Sequence, residues 1–251
     1  MQPKSEQVRQ FYDAAAGMMH ELSFLNYGFA ASEAQPDGEG SSERYCLALY
    51  AHLLGDAQLA GRDVLEVSCG RGGGAAFVMG RYRPGSLVGI DLSEGNIDAA
   101  RRREAGVHNL RFRVGNAQAL PFADGSFDAV VNVEAAHLYD DPARFLAEVA
   151  RVLRPEGTFF YTDLFWSSSD PLAMLLAAGL KVTHSEDITA AVLRALELDC
   201  PRREQLIATH VPEPLRGDFR DWSGVKGHRA YNRFVAREWV YRLFRAAKAP
   251  A

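Results

Sequence analysis

Residues Asp63 to Val78, DVLEVSCGRGGGAAFV, constrain the fold of this chain more than any other stretch. A short apolar run breaks into glycines, with Arg71 among them, and then turns apolar again. Glycine tolerates positive φ and lets backbone pass close to a ligand, and a helix N-terminus offers free N–H donors and a partial positive charge. The stretch therefore predicts a strand, a tight turn and a helix, with something bound at the turn. The residues that follow repeat the pattern. SLVGID, LRFRVGNA, FDAVVNVE and TFFYTDL read as strands, and GGAAFVMGRY, EGNIDAARRREAG and DPARFLAEVARVL as helices, the last stopped by Pro155 and Gly157. Strands alternating with helices predict a parallel, doubly wound α/β sheet.

The flanks are less regular. Residues 5–31 read as helical, with an interrupted apolar face of Val8, Phe11, Tyr12, Met18, Met19 and Leu22. A polar loop is expected over residues 31–43, then a second helix carrying Leu47, Leu49, Tyr50, Leu53 and Leu54 and ending near Gly55. Past Asp163, DPLAMLLAAGL predicts a helix, KVTHSEDIT a strand, and residues 189–220 helix up to Pro212 and Pro214. The closing REWVYRLFRAAK is amphipathic and by itself fits strand or helix.

A chain of 251 residues, 47% hydrophobic and 24% charged, supports one large domain with attachments and is short for two full enzyme domains. A net charge of −4 offers no basic surface for nucleic acid. Cys46, Cys69 and Cys200 match no metal-ligand spacing, so no metal is expected, and their sparse, odd number suits a reducing cytoplasm. The N-terminus lacks an apolar signal core and no run approaches the ~18 apolar residues of a membrane span, so a cytosolic location without stable membrane insertion is expected. An apolar or lipid-bound substrate is compatible with this.

Gly70, Gly72 and Ala75 satisfy G-x-G-x-x-G/A, and Asp91 ends the second strand where an acid accepts hydrogen bonds from ribose hydroxyls. The alternative is a plain strand–helix turn with Asp91 as the next helix cap. The motif alone does not choose between a nicotinamide dinucleotide and S-adenosylmethionine. Three features tip the choice to the latter. Glu66 lies inside the first strand, where a free α-amino group would find a partner. Asn116 lies just past the third strand, within reach of an adenine edge. The third is the stretch FDAVVNVEAAHLYDDPARFLAEVARVLRPEGTFFYTD, which reads strand, loop, helix, Pro-Gly turn, strand.

On these residues, 63–163 resembles the class I S-adenosylmethionine-dependent methyltransferases. Within them it is similar to bacterial small-molecule enzymes that methylate polyketides, lipids such as phthiotriol, and sugars. Of the family turn D/E-x-G-x-G-x-G, Glu66, Gly70 and Gly72 match; Ser68 replaces the first glycine, as in the phthiotriol-like branch. The resemblance implies a Rossmann-like, doubly wound, seven-stranded sheet with helical lid elements. Residues 1–58 would form an N-terminal helical lid and 59–165 the cofactor-binding core. Residues 166–251 would complete the sheet around a helical cap insertion at about 189–235, with Trp239 to Phe244 as an antiparallel closing strand. It implies S-adenosylmethionine as cofactor, with Glu66 and the Gly70–Gly72 backbone at the methionine portion, Asp91 at the ribose, and Ser68 and Leu92 among the cofactor-binding residues. Asn116 and the Ala117 N–H fall on the adenine, and Glu134 lies near the cofactor.

A methyl acceptor that is a hydroxyl must lose a proton. His137 follows the fourth strand and Asp163 ends the fifth, so both emerge where open parallel sheets bind ligands. Histidine titrates in the right range and a carboxylate fixes its tautomer, which makes His137 the expected general base and Asp163 its orienting partner. Related sugar and natural-product methyltransferases have this histidine and aspartate, as the resemblance implies. The competing reading is a loop histidine and a structural aspartate. His184, His210 and His228 receive no role, and Cys69 reads as a small buried thiol. Tyr12, Phe24 and Tyr27 are expected to close over a hydrophobic acceptor of natural-product size, and no D/N-P-P-Y/F motif for a nucleobase amine follows the fourth strand. The leading expectation is O-methylation of a small hydrophobic secondary metabolite. N- or C-methylation and a recruited cyclase or isomerase stay open, whereas Glu66 and the LPF…FDAVV segment disfavour an NAD(P) oxidoreductase.

Overall fold

In the computed structural model, residues 4–18, 21–32 and 41–249 are described. The strands β1 (Asp63–Val67), β2 (Ser86–Asp91), β3 (Leu110–Val114), β4 (Phe127–Val133), β5 (Leu153–Trp166), β6 (Leu180–Asp187) and β7 (Trp239–Lys248) form one seven-stranded sheet. Its order is β3-β2-β1-β4-β5-β7-β6, with β7 antiparallel to both neighbours and the rest of the core parallel. The order reverses at β1 and β4, the switch point where ligands bind in open α/β sheets.

The helices are α1 (Lys4–Met18), α2 (Arg44–Leu54), α3 (Gly73–Tyr82), α4 (Glu94–Arg103), α5 (Pro142–Val152), α6 (Pro171–Ala177), α7 (Thr189–His210), α8 (Arg216–Trp222) and α9 (Arg229–Val235). Local chemistry sets several starts. The Ser93 side chain accepts from Asn96 N at the head of α4, and Asp141 accepts from Arg144 N ahead of Pro142 in α5. Helices cover both sheet faces, and the strand side chains split between two cores. Val64 and Val131 pack on the face shared with α2 and α3, Leu65 and Val130 on the face shared with α5. Burial on both faces is why these strands read as unbroken apolar runs.

Three expectations need correction. Pro155 and Gly157 do not separate helix from strand: β5 begins at Leu153, directly after α5, and runs through them. Its pairing with β4 shifts register between Phe127 and Ala129, an irregularity that accommodates a proline with no N–H to give. The expected first helix stops at Met18, and Ser23–Ala30 are irregular. The long helical stretch divides into α7, which contains Pro201 and ends at His210, and α8, which starts at Arg216. The ambiguous C-terminal stretch is β7. It pairs with β5 from Thr158↔Ala247 to Trp166↔Trp239, beyond the expected Trp239 to Phe244. Most of the expected polar loop (33–40), and Met19 of the expected apolar face, lie outside the described residues.

A buried arginine joins α7 to the N-terminal segment. Arg203 on α7 bonds Asp199 at 3.0 Å and donates to Ser223 O (2.7 Å), Asn26 O (3.3 Å) and Tyr27 O (3.0 Å). A buried guanidinium survives only with its donors used in this way. No helix of the described residues is long and apolar enough to cross a membrane.

Candidate active site

The turn after β1 is built on left-handed backbone at Ser68 (φ 56°), Gly70 (φ 53°) and Gly72 (φ 83°). A Cβ on Gly72 would stand 2.8 Å from Phe112 Cζ, and one on Gly74 would collide with the Tyr50 ring. Glycine at position 74 thus lets Tyr50 reach across α3 to donate to Glu66 Oε1 at 2.7 Å. Glu66 is 2% exposed, its Oε2 has no partner, and burial pushes its carboxyl up to about 8, partly offset by the Tyr50 bond.

A cavity of about 100 Å³ opens beside this turn, walled by Ser68, Gly70, Asp91, Leu92 and Glu134. Asp91 Oδ2 accepts from Gly70 N and its Oδ1 from Ser93 N, each at 2.9 Å; burial raises its pKa and these bonds oppose the rise. Not every expected cofactor residue reaches this wall. Glu66 sits behind Tyr50, and Gly72 packs against Phe112 and Ala100. Asn116 is exposed and spends Oδ1 on Gln118 N (2.8 Å) in a turn, and Ala117 is buried beside it; neither lines the cavity.

The outer wall comes from α1 and the segment after it: Val8, Arg9 and Tyr12, then Ser23, Phe24, Leu25 and Asn26. Asp13 of α1 accepts from Ser93 Oγ (2.5 Å) and Gly95 N (3.3 Å) at the head of α4. Tyr27 lies beyond this cavity. Its hydroxyl donates to Trp222 O (3.1 Å), and its backbone N–H donates to Glu134 Oε2 (2.8 Å). Glu134 has φ 53°, an uncommon conformation for a side-chain-bearing residue, and also accepts from the Tyr241 hydroxyl at 2.7 Å. Burial pushes its carboxyl up to about 7.

One turn further on, His137 sits in a short 3-10 turn, Ala136–Leu138. Its Nδ1 lies 2.6 Å from Asp163 Oδ1 and its backbone N–H donates to Asp163 Oδ2 at 3.0 Å. Asp163 is fully buried, at 0% exposure, and Leu164 N donates to its Oδ1 as well. A carboxylate at Nδ1 accepts a hydrogen bond from an Nδ1–H, and that tautomer leaves the Nε2 lone pair free to take a proton. His137 lines a second, larger cavity of about 1020 Å³ with Tyr27, Tyr161, Phe165, Trp222 and Trp239. The expected pair is therefore in contact and borders a large aromatic-rich space, while the expected lid residues divide: Tyr12 and Phe24 line the cofactor-side cavity and Tyr27 the larger one.

Tyr50, Asn132, Tyr139, Arg203 and Tyr241 carry no functional expectation from the sequence. Tyr139 is two residues past His137 and was findable as a loop residue at the end of β4; Tyr50 and Tyr241 come from distant segments and left no local signal. Among the described residues no group of three or more His, Cys, Asp or Glu side chains is placed to hold a metal. The wall suits S-adenosylmethionine: the buried carboxyl of Glu134 would be relieved by a cation in the cavity, and Asp91 offers its carboxyl to a ribose.

Residues 65–161 match the family described as a methyltransferase domain. The chain is 38% identical over 233 residues to a Mycolicibacterium smegmatis protein named fatty-acid O-methyltransferase, spanning 89% of this chain and 82% of that one. It is 35% identical over 229 residues to the phthiotriol/phenolphthiotriol dimycocerosates methyltransferase of Mycobacterium tuberculosis, spanning 89% and 84%. In fold it is similar to the cyclase SpnF, with a TM-score of 0.78, 21% identity, and coverage of 99% of this chain and 97% of that one. Similarity of this extent to named methyltransferases, carried on this sheet order, makes the chain a member of the class I S-adenosylmethionine-dependent methyltransferases.

Proposed function

We propose that this enzyme O-methylates a small hydrophobic acceptor, with His137 as general base and Asp163 as its orienting partner. The observation that carries the reading is the 2.6 Å contact between His137 Nδ1 and Asp163 at the edge of the aromatic cavity. The names of the two relatives, one for a fatty acid and one for phthiotriol dimycocerosates, support a hydrophobic acceptor.

S-adenosylmethionine supplies an already activated methyl group on a sulfonium. Ser68 and Gly70 hold its methionine portion, with Gly72 shaping the turn and Glu66 behind it. Asp91 and Leu92 hold the ribose, and the adenine extends toward Asn116 and Ala117. Glu134 would lie near the bound cofactor, and Tyr12, Phe24 and Tyr27 would close over the reactants and exclude water. Holding an acceptor atom in line contributes ~7–11 kcal/mol. His137 Nε2 takes the hydroxyl proton, and Asp163 stabilises the imidazolium that forms; a base so placed contributes ~10²–10⁴-fold.

The test is mass spectrometry of the purified enzyme with S-adenosylmethionine and a panel of hydrophobic alcohols, phenols, carboxylic acids and amines. Gain of one methyl on oxygen, located by fragmentation, is the expected result. Methylation confined to nitrogen or carbon would overturn the O-methyl assignment.

A further inference from the structure

We infer that Asn132, Tyr139 and Ser68 form a directed hydrogen-bond chain that aims the Ser68 hydroxyl hydrogen at the α-carboxylate of the cofactor. The inference rests on the reading that the amino-acid end of the cofactor lies at the glycine turn.

The direction of the chain follows from what each atom can do. Val67 O is a main-chain carbonyl and only accepts, so the Asn132 atom 2.9 Å from it is the amide nitrogen. The same nitrogen is 3.0 Å from the Tyr139 hydroxyl, and its second hydrogen goes there. Tyr139 thus accepts from Asn132 and has its own hydrogen to give. The neighbour positioned to take it is Ser68 Oγ, 2.6 Å away. Ser68, accepting from Tyr139, keeps its own hydrogen for a third partner. Both Ser68 and Tyr139 line the cofactor-side cavity.

Two further observations concern what this arrangement is for. Ser68 is held at φ 56°, a conformation that glycine adopts without penalty, so the site retains a hydroxyl at the cost of backbone strain. Asn132 is fully buried and its Oδ1 has no partner, so the amide is kept there for its donor end. S-adenosylmethionine carries one anionic group, the α-carboxylate, and an oriented O–H at the turn is matched to it. Tyr139 and Asn132 are positioning residues on this account, acting through Ser68.

Calorimetric titration with S-adenosylhomocysteine and with 5′-methylthioadenosine, which lacks the amino-acid end, tests the chain. Tyr139→Phe keeps the ring that packs edge-on against Phe145 at 4.9 Å. It is expected to raise the Kd for S-adenosylhomocysteine about three- to tenfold, the worth of an ordinary hydrogen bond, and Ser68→Ala by about ten- to a hundredfold, the worth of one to a charged group. Neither should move the Kd for 5′-methylthioadenosine by more than about twofold, a change smaller than one hydrogen bond is worth. The double variant should lose no more than Ser68→Ala alone, because the two residues act as one unit. Equal weakening of both ligands by Tyr139→Phe would overturn the inference, since loosening of the turn would then explain the loss, and so would an unchanged Kd for S-adenosylhomocysteine. If the unaltered enzyme bound 5′-methylthioadenosine and S-adenosylhomocysteine equally well, the placement of the amino-acid end would fall instead, and this inference with it.

Discussion

The backbone N–H and the ring Nδ1 of His137 bond the two different oxygens of Asp163, at 3.0 Å and 2.6 Å. One carboxylate therefore fixes both the position of the turn and the face of the imidazole. His137→Ala is expected to lower the single-turnover rate ~10²–10⁴-fold while leaving the Kd for S-adenosylhomocysteine close to that of the parent enzyme. An undiminished rate would reject the general-base role. Asp163→Asn should also slow turnover, because an amide lets the ring take either tautomer.

Asp91 is expected to hold the ribose while its two oxygens already accept backbone bonds from Gly70 and Ser93. Asp91→Ala should weaken S-adenosylhomocysteine by roughly 1.5–3 kcal/mol, the worth of a hydrogen bond to a charged group. The melting temperature should fall as well, since two turn N–H groups lose their acceptor. Calorimetry showing unchanged affinity would remove the ribose assignment.

Burial lifts Glu66 to about 8 from an ordinary carboxyl value of 4.5. The folded state then favours the protonated acid. Its stabilising contribution is complete below the unfolded value and is lost as pH rises through the folded one. Glu134, raised to about 7, acts in the same sense. The ligand-free enzyme should therefore lose melting temperature between about pH 5 and about pH 9, and Glu66→Gln should flatten that slope. Equal slopes for the two proteins, measured by thermal melts, would show that Glu66 does not carry the dependence.

Asp13 ties α1 to α4 by accepting from Ser93 Oγ and Gly95 N. Asp13→Ala should cost about 0.5–2 kcal/mol, like the loss of a helix cap. It should also quicken proteolysis within α1 and release of bound S-adenosylhomocysteine. Unaltered cleavage and dissociation rates would mean that this contact does not hold α1 over the cavity.

The parts of this fold legible in the sequence are those whose cause is local. The strand–glycine–helix turn, the acid ending β2 and the alternation through β4 each announce themselves within a dozen residues, and His137 and Asp163 meet because parallel strands end on one side. Other features depend on partners far along the chain. Glu134 is held by Tyr241 across 107 positions and Ser68 by Tyr139 across 71, distances at which no spacing rule operates. Pro155 misled because proline stops helices and is equally at home where strand pairing slips. Asn116 stands just past β3, and the bond its side-chain carbonyl accepts from Gln118 N in a local turn is one that its position alone does not reveal.

The antiparallel β7, wedged between β5 and β6, has a consequence for how the enzyme is made. β7 follows β6 in the chain yet fills the slot between β5 and β6, so β5 waits with an open edge until β7 has been made. During that interval nascent chains are exposed to edge-to-edge aggregation, and early termination would leave them in that state. Tyr241 arrives with β7, so a chain cut before it also lacks the phenol that bonds Glu134.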